Sequence, residues 1–391
     1  MDQGDDRALV KTLRYSWSDY MDIFSRSNRR TALGIALALF MAGQITQAQT
    51  TKNIIVVTLD GFRWQEVFSG MDSAVADQKR FHRGDSAYLF QHFWSPDLKA
   101  RRELLLPFIW STLATTGQLY GNRRLGNKVD MANPHWFSYP GYSEIFTGYA
   151  DPAVNSNSFP DNPHTNVFEF LNLQPGFTGT VAAFGAWEAF SRILNAPRCA
   201  FPVVAAFTDC GGTAPNANEL LINKIRNDCY KPWNEDECFD VFTHYAALEC
   251  LRTRKPRVLY IGYGETDEWA HEGNYKAYLE AAHQTDQWIR ELWQFVQSDP
   301  HYKDKTALFV TVDHGRGDRQ KDQWTGHGES VPDSHETWFG VLGPDIEVKG
   351  EVTTESQIYA SQFAQTIASL LGTMFTAEHP VGKRVDRLFL R

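Results

Sequence analysis

A chain of 391 residues has room for one large α/β domain with insertions or for two smaller domains, and its 42% hydrophobic and 14% aromatic content fits a packed core rather than a disordered or repetitive chain. Its 38 basic and 47 acidic side chains give a net charge of −9, which leaves no basic footprint for a nucleic-acid polymer. An acidic surface still admits a small anion where bound metal ions reverse the local potential.

Residues 1–48 read as an export signal. Arg29 and Arg30 precede the uncharged run Thr31 to Gly43, and Thr46-Gln47-Ala48 offers small residues for cleavage before Gln49. The apolar run falls short of the roughly 20 residues a spanning helix needs. The expectation is therefore cleavage, no stable membrane span, and a periplasmic or extracellular chain; an uncleaved anchor is the other reading. Met21 is an alternative start, because the stretch before Arg29 is long for a signal. Residues 49–391 are expected to form a single domain, with insertions near 64–135 and 188–256.

The first strand is Asn53–Leu59, NIIVVTL, which runs into Asp60 and Gly61. The stretch 64–135 is rich in aromatics, Arg and Gly and lacks a clear period. Thr180–Phe184 reads as the next strand. The stretch 188–256 then holds all five cysteines, none with CxxC spacing, so a structural zinc site is not expected. In an oxidising compartment Cys199–Cys210 and Cys229–Cys238 are the locally plausible pairs, although spacing does not fix connectivity. Arg257–Tyr263, Ala307–Val312 and the weaker Thr337–Gly343 complete the strands. Tyr275–Ser298 carries helical spacing at Leu279, Ala282, Asp286, Ile289, Leu292 and Phe295. Ile358–Leu371 does so at Ile358, Phe363, Ile367 and Leu371. Short apolar runs alternating with helices predict a doubly wound, mostly parallel sheet sandwiched by helices.

Ligands of such sheets bind beyond the carboxyl ends of the strands, and that is where the candidate site residues fall. Asp60 ends the first strand, where a buried carboxylate is costly unless paired or metal-bound. Asp267 and His271 stand four apart in GETDEWAHEG, a spacing that lets both reach one ion. Asp313 and His314 precede Gly315, which lets the backbone turn. His327 lies between Gly326 and Gly328; His335 is its competitor. Taken singly, each has a bland reading as a helix cap or a surface ion pair. Ser138, in FSYPGYSEIFTG, is a candidate nucleophile because metal ions can deprotonate a coordinated hydroxyl; Ser143 and Thr147 are its rivals.

LDGFR, FSYPGYSEIFTG, DEWAH, VDHG and GHG, in this order, resemble the alkaline phosphatase superfamily over most of residues 53–345. The closest match is its nucleotide pyrophosphatase/phosphodiesterase branch. The resemblance implies an alkaline-phosphatase-like catalytic domain with small cap insertions and two divalent ions, zinc by expectation and manganese by chemistry. One ion would be held by Asp267, His271 and His327, the other by Asp60, Asp313, His314 and the Ser138 alkoxide. By this register Ser138, not Ser143 or Thr147, would attack a small phosphorylated substrate and pass through a phosphoserine. Gly141 departs from the branch, which carries Asn there to bind a phosphate oxygen. Asn133, Asn162, Asn166 and Arg63 are candidate replacements. The missing Arg after Ser138-Tyr139-Pro140 disfavours a sulfatase. A phosphoglycerate-mutase-like enzyme, a phosphotransferase and a metal-retaining pseudoenzyme are the alternatives. Trp64, Trp110, Trp136, Trp187 and Trp269 could stack on a leaving group or equally fill the core.

Overall fold

In the computed structural model residues 49–390 are described; the expected export signal and the alternative start at Met21 lie outside the described residues. The strands are β1 (Asn53–Leu59), β2 (Gln118–Tyr120), β3 (Asn127–Asp130), β4 (Val181–Gly185), β5 (Val203–Ala205), β6 (Val258–Tyr263), β7 (Thr306–Thr311), β8 (Glu336–Thr337), β9 (Phe339–Leu342), β10 (Gly350–Glu351) and β11 (Ser356–Tyr359). Eight of them form one sheet in the order β10-β2-β9-β7-β1-β6-β4-β5, and β11-β3-β8 form a second, small one. Within the large sheet only β9 runs against the rest.

β1 is buried along its whole length between β6 and β7, with Val57 opposite Ile261 on one side and Val310 on the other. Its alternate side chains enter two cores: Ile55, Val57 and Leu59 one, Ile54 and Val56 the other. The helix Tyr275–Ser298 covers the first face with Tyr278, Leu279, Ala282, Ile289 and Leu292. The helices Ser138–Thr147 and Phe363–Leu370 cover the second with Tyr142, Ile145, Phe146, Ala364 and Ile367. This is the mostly parallel, helix-sandwiched α/β sheet that the alternating pattern predicts. No helix of the described residues is long and apolar enough to cross a membrane.

Three details differ from the sequence expectations. Ile358 does not begin a helix: it pairs with Val129 in the small sheet, and helix starts only at Phe363. The stretch 64–135 is ordered into short helices and short strands, tied to the long helix by Asp286. That carboxylate, fully buried in the apolar stripe, accepts from Phe108 N at 2.7 Å and Ile109 N at 2.9 Å, and burial pushes it up to about 7. All five cysteines are free. Cys199 packs in the second core and Cys210 in the first, on opposite faces of the sheet, so they cannot pair.

The helix Ser138–Thr147 is pinned by a buried carboxylate. Glu144 accepts from Ala132 N, Asn133 N and Nδ2, and Ser361 N, all at 2.8–3.0 Å. Glu144→Ala would strand four donors, three of them on the backbone. A loss of about 3 kcal/mol or more is expected in denaturant unfolding, and a variant as stable as the parent would contradict this anchoring.

Candidate metal centre

β6, β1 and β7 are adjacent, so the turns that follow them converge. Asp60 follows β1, Asp267 and His271 lie on the helix Glu265–His271 after β6, and Asp313-His314 follow β7. Two sets of ligand-type atoms gather there, each set within 4.8 Å: Asp267, His271 and His327, and Asp60, Asp313 and His314. In the first, His271 Nε2 lies 2.9 Å from His327 Nε2 and 3.0 Å from Asp267 Oδ2. In the second, His314 Nε2 lies 3.3 Å from Asp60 Oδ1 and 3.4 Å from Asp313 Oδ2. Asp267 Oδ1 joins them, 3.8 Å from His327 Nε2 and 3.7 Å from His314 Nε2. His335 stands elsewhere, against the Trp136 ring.

The surroundings aim these atoms. His314 Nδ1 donates to the Gly315 carbonyl at 2.9 Å, which leaves the Nε2 lone pair facing the carboxylates. Tyr142 Oη donates to Asp60 Oδ2 at 2.9 Å, and Gly61 N donates to Asp313 Oδ1 at 3.1 Å. Arg316, fully buried, donates through Nη2 to Asp267 Oδ1 and, at 3.1 Å, to the Asp267 carbonyl. Gly61 has φ +56, and a Cβ there would collide with Asp267 Oδ1.

The electrostatics call for a cation. Burial first, then Asp267, raises the Asp60 carboxyl; burial first, then Asp60, raises that of Asp313 well above its ordinary value. Burial opposes charge on Asp267 too, but Arg316, His271 and His327 hold it well below. Burial also opposes charge on His314, yet Asp313, Asp60 and Asp267 raise it to about 9. Asp60 Oδ1, Asp313 Oδ2 and His327 Nδ1 are buried with no hydrogen-bond partner. Unpaired carboxylate oxygens facing imidazole nitrogens are the donor set of a divalent ion. The residues present therefore fit two such ions. His271, 43% exposed on its side chain, makes the first set the solvent-facing one; Asp313 and His314 are fully buried.

Ser138 is the first residue of its helix, and its Oγ lies 3.3 Å from His314 Nε2. Just ahead of it Trp136 adopts φ 52, a strained conformation for a bulky residue. Ser143 instead accepts from Asn162 Nδ2, and Thr147 Oγ1 donates to the Ser143 carbonyl. A Cβ at Gly141 would collide with the Asp313 carbonyl, so the helix lies too close for any side chain there. None of the four expected substitutes is free. Asn133 serves Glu144, Asn162 serves Ser143, Asn166 caps the helix Val167–Asn172, and Arg63 is bound to Glu66 and the Gly317 carbonyl. The sequence reading also missed Tyr142 and Arg316. The i,i+4 spacing of Tyr142 from Ser138 was a usable signal; an arginine two residues past His314 was a weaker one.

The sequence profile of the Metalloenzyme superfamily matches residues 200–335, which include five of the six carboxylate and imidazole positions but neither Asp60 nor Ser138. Among solved structures the chain is similar to alkaline phosphatase PafA (TM-score 0.54, 10% identity, 87% of this chain and 99% of that one). It is also similar to the phosphonate monoester hydrolase SpPMH from Silicibacter pomeroyi (0.51, 15%, 86% and 76%) and to the lipoteichoic acid synthase LtaP from Listeria monocytogenes (0.50, 13%, 83% and 73%). No curated protein matches the sequence. The fold is like that of alkaline phosphatase PafA, and the site is a candidate centre for divalent metal ions.

Two outcomes follow from the geometry. Metal binding to the apoprotein should release protons near neutral pH, because without metal His314 is protonated below about 9 and burial raises the Asp313 carboxyl. Affinity should therefore fall as pH drops, and calorimetry in buffers of different ionisation enthalpy reads the proton count; none released would contradict the His314 environment. His327→Ala should lower bound metal by about one equivalent in elemental analysis, while His335→Ala should leave it unchanged. The reverse result would move the site.

Proposed function

We propose that this chain is an exported hydrolase of phosphoric esters that uses two divalent ions and the Ser138 hydroxyl. The observation that carries the reading is Ser138 Oγ, 3.3 Å from His314 Nε2, with both ligand sets beside it. Asp267, His271 and His327 would hold one ion; Asp60, Asp313, His314 and Ser138 the other. Ions bound there supply Lewis-acid charge that lowers the pKa of a hydroxyl and neutralises phosphoryl oxygens.

The chain's own residues do the rest. The N-terminus of the helix Ser138–Thr147 places its partial positive charge at the reacting oxygen. Tyr142 and Gly61 N hold the Asp60 and Asp313 carboxylates in place. Ser138 Oγ forms a bond to phosphorus while the ester P–O bond breaks. The alcohol oxygen leaves with the electron pair and ends with the proton. Water then cleaves the phosphoserine and restores the hydroxyl. With Gly141 closed to side chains, the branch's usual phosphate ligand is absent, so monoester and diester substrates are both in scope.

Ser138→Ala should lower turnover of para-nitrophenyl phosphate or its bis ester on the order of 10³-fold or more while metal content stays at the parent level. Retained activity would remove Ser138 from the reaction. A parent protein that turned over only sulfate esters would transfer the reading to sulfuryl chemistry. Two bound metals with no turnover of any ester would favour a binding protein that keeps the site.

A further inference from the structure

A cavity of about 220 Å³ lies between the helices Trp64–Ser69 and Leu98–Leu105, the turn Arg123–Leu125 and the loop that holds Asp318 and Lys321. No metal ligand lines it. Gly70 brings the two helices together: it has φ +68, and a Cβ there would collide with the Arg101 carbonyl. Arg101 Nε then donates to the Ser69 carbonyl at 2.6 Å and its Nη1 to the Ser95 carbonyl at 3.2 Å. From the turn, Arg124 Nη1 donates to Ser69 Oγ. Two guanidinium groups therefore converge on one residue at the end of a helix, and both face the cavity.

Aromatic faces fix both groups. The Arg101 guanidinium lies 4.4 Å over the Trp94 ring, and that of Arg124 lies 5.7 Å from the Trp64 ring. Trp64 is itself held by its Nε1, which donates to Glu336 Oε2 at 2.7 Å. The arginines next to them in the chain are neutralised: Arg102 pairs with Glu351 at 3.0 Å and Arg123 with Glu336 at 2.7 Å. Arg101 and Arg124 have only carbonyl, hydroxyl and ring partners among the described residues. The two carboxylates of the cavity are already matched. Asp72 accepts from Ala74 N at 2.8 Å and pairs with Lys321 at 2.7 Å, while Asp318 lies 3.5 Å from Arg63 and 3.7 Å from Lys321. Arg124 and Lys321 are exposed at the mouth. At the floor Gln65 is 6% exposed; its amide makes no hydrogen bond among the described residues, and Oε1 is buried without a partner.

Guanidinium groups held in place with N–H donors to spare, beside a hydroxyl and an unpartnered amide, are the chemistry that binds an oxyanion. Each guanidinium carries five N–H groups; Arg101 engages two of its nitrogens and Arg124 one. We propose that Arg101, Arg124, Ser69 and Gln65 form a binding site for a phosphate-type oxyanion, separate from the metal centre. The volume suits a free ion or one phosphoryl group, whereas a whole organic ligand takes roughly 300 Å³ or more. The site is independent of the hydrolase reading, since it uses none of the residues assigned to that chemistry.

Inorganic phosphate is the probe, and equilibrium dialysis of metal-loaded protein counts the equivalents bound. Every protein compared carries Ser138→Ala, so that esters persist. Adding Arg124→Gln should weaken one equivalent about tenfold or more, while metal content and unfolding midpoint stay at the level before the change. Arg101→Gln should do the same, and it decides the matter if Arg124→Gln does not fold. Phosphate held at the metal centre persists in both variants, so the difference reports the cavity alone, whether or not the chain is a hydrolase. Glycerol 1-phosphate run alongside identifies the source of the anion. Affinity equal to that of inorganic phosphate assigns the site to phosphoryl groups of larger molecules, and binding of inorganic phosphate alone assigns it to the free ion. The same number of equivalents at the same affinity with and without the arginine changes overturns the site.

Discussion

The uncompensated charge at the carboxyl end of β1 is the constraint on which the rest of the site depends. Asp60 and Asp313 are buried beside one another, Asp267 joins them through one oxygen, and among the described residues Arg316 is the only guanidinium in contact with the three. Isolated carboxylates in a dry interior cost far more than a fold of ordinary stability can offset. A cation at each set would relieve that cost, as the Arg316 guanidinium already does in part for Asp267. The sheet order enforces this: a central strand flanked by two parallel neighbours delivers three acidic turns to one place.

Two glycines decide how closely the parts approach. Gly61 lets the turn after β1 pass under Asp267, and Gly141 lets the helix Ser138–Thr147 rest on the Asp313 backbone. The second is the more consequential. Where the phosphodiesterase branch that the sequence resembles carries Asn, this chain uses the position for packing. The candidate replacements Arg63, Asn133, Asn162 and Asn166 are already engaged elsewhere.

Much of the fold was legible because its signal is local. Runs such as Asn53–Leu59 and Arg257–Tyr263 are apolar on both faces, and only a strand buried on both sides needs that. The short strands β2 and β5 have three residues each, too few to show a period. Ile358 fitted a helical spacing but is held in a strand by Val129, a partner over two hundred residues away. The site divides the same way. Asp60, Asp267, Asp313 and the histidines announce themselves by strand ends and flanking glycines. Arg316 matters through the Asp267 contacts that the folded chain sets against it, which its place two residues past His314 marks only weakly. Cys199 and Cys210 show the converse: eleven residues apart in sequence, they are separated by a sheet.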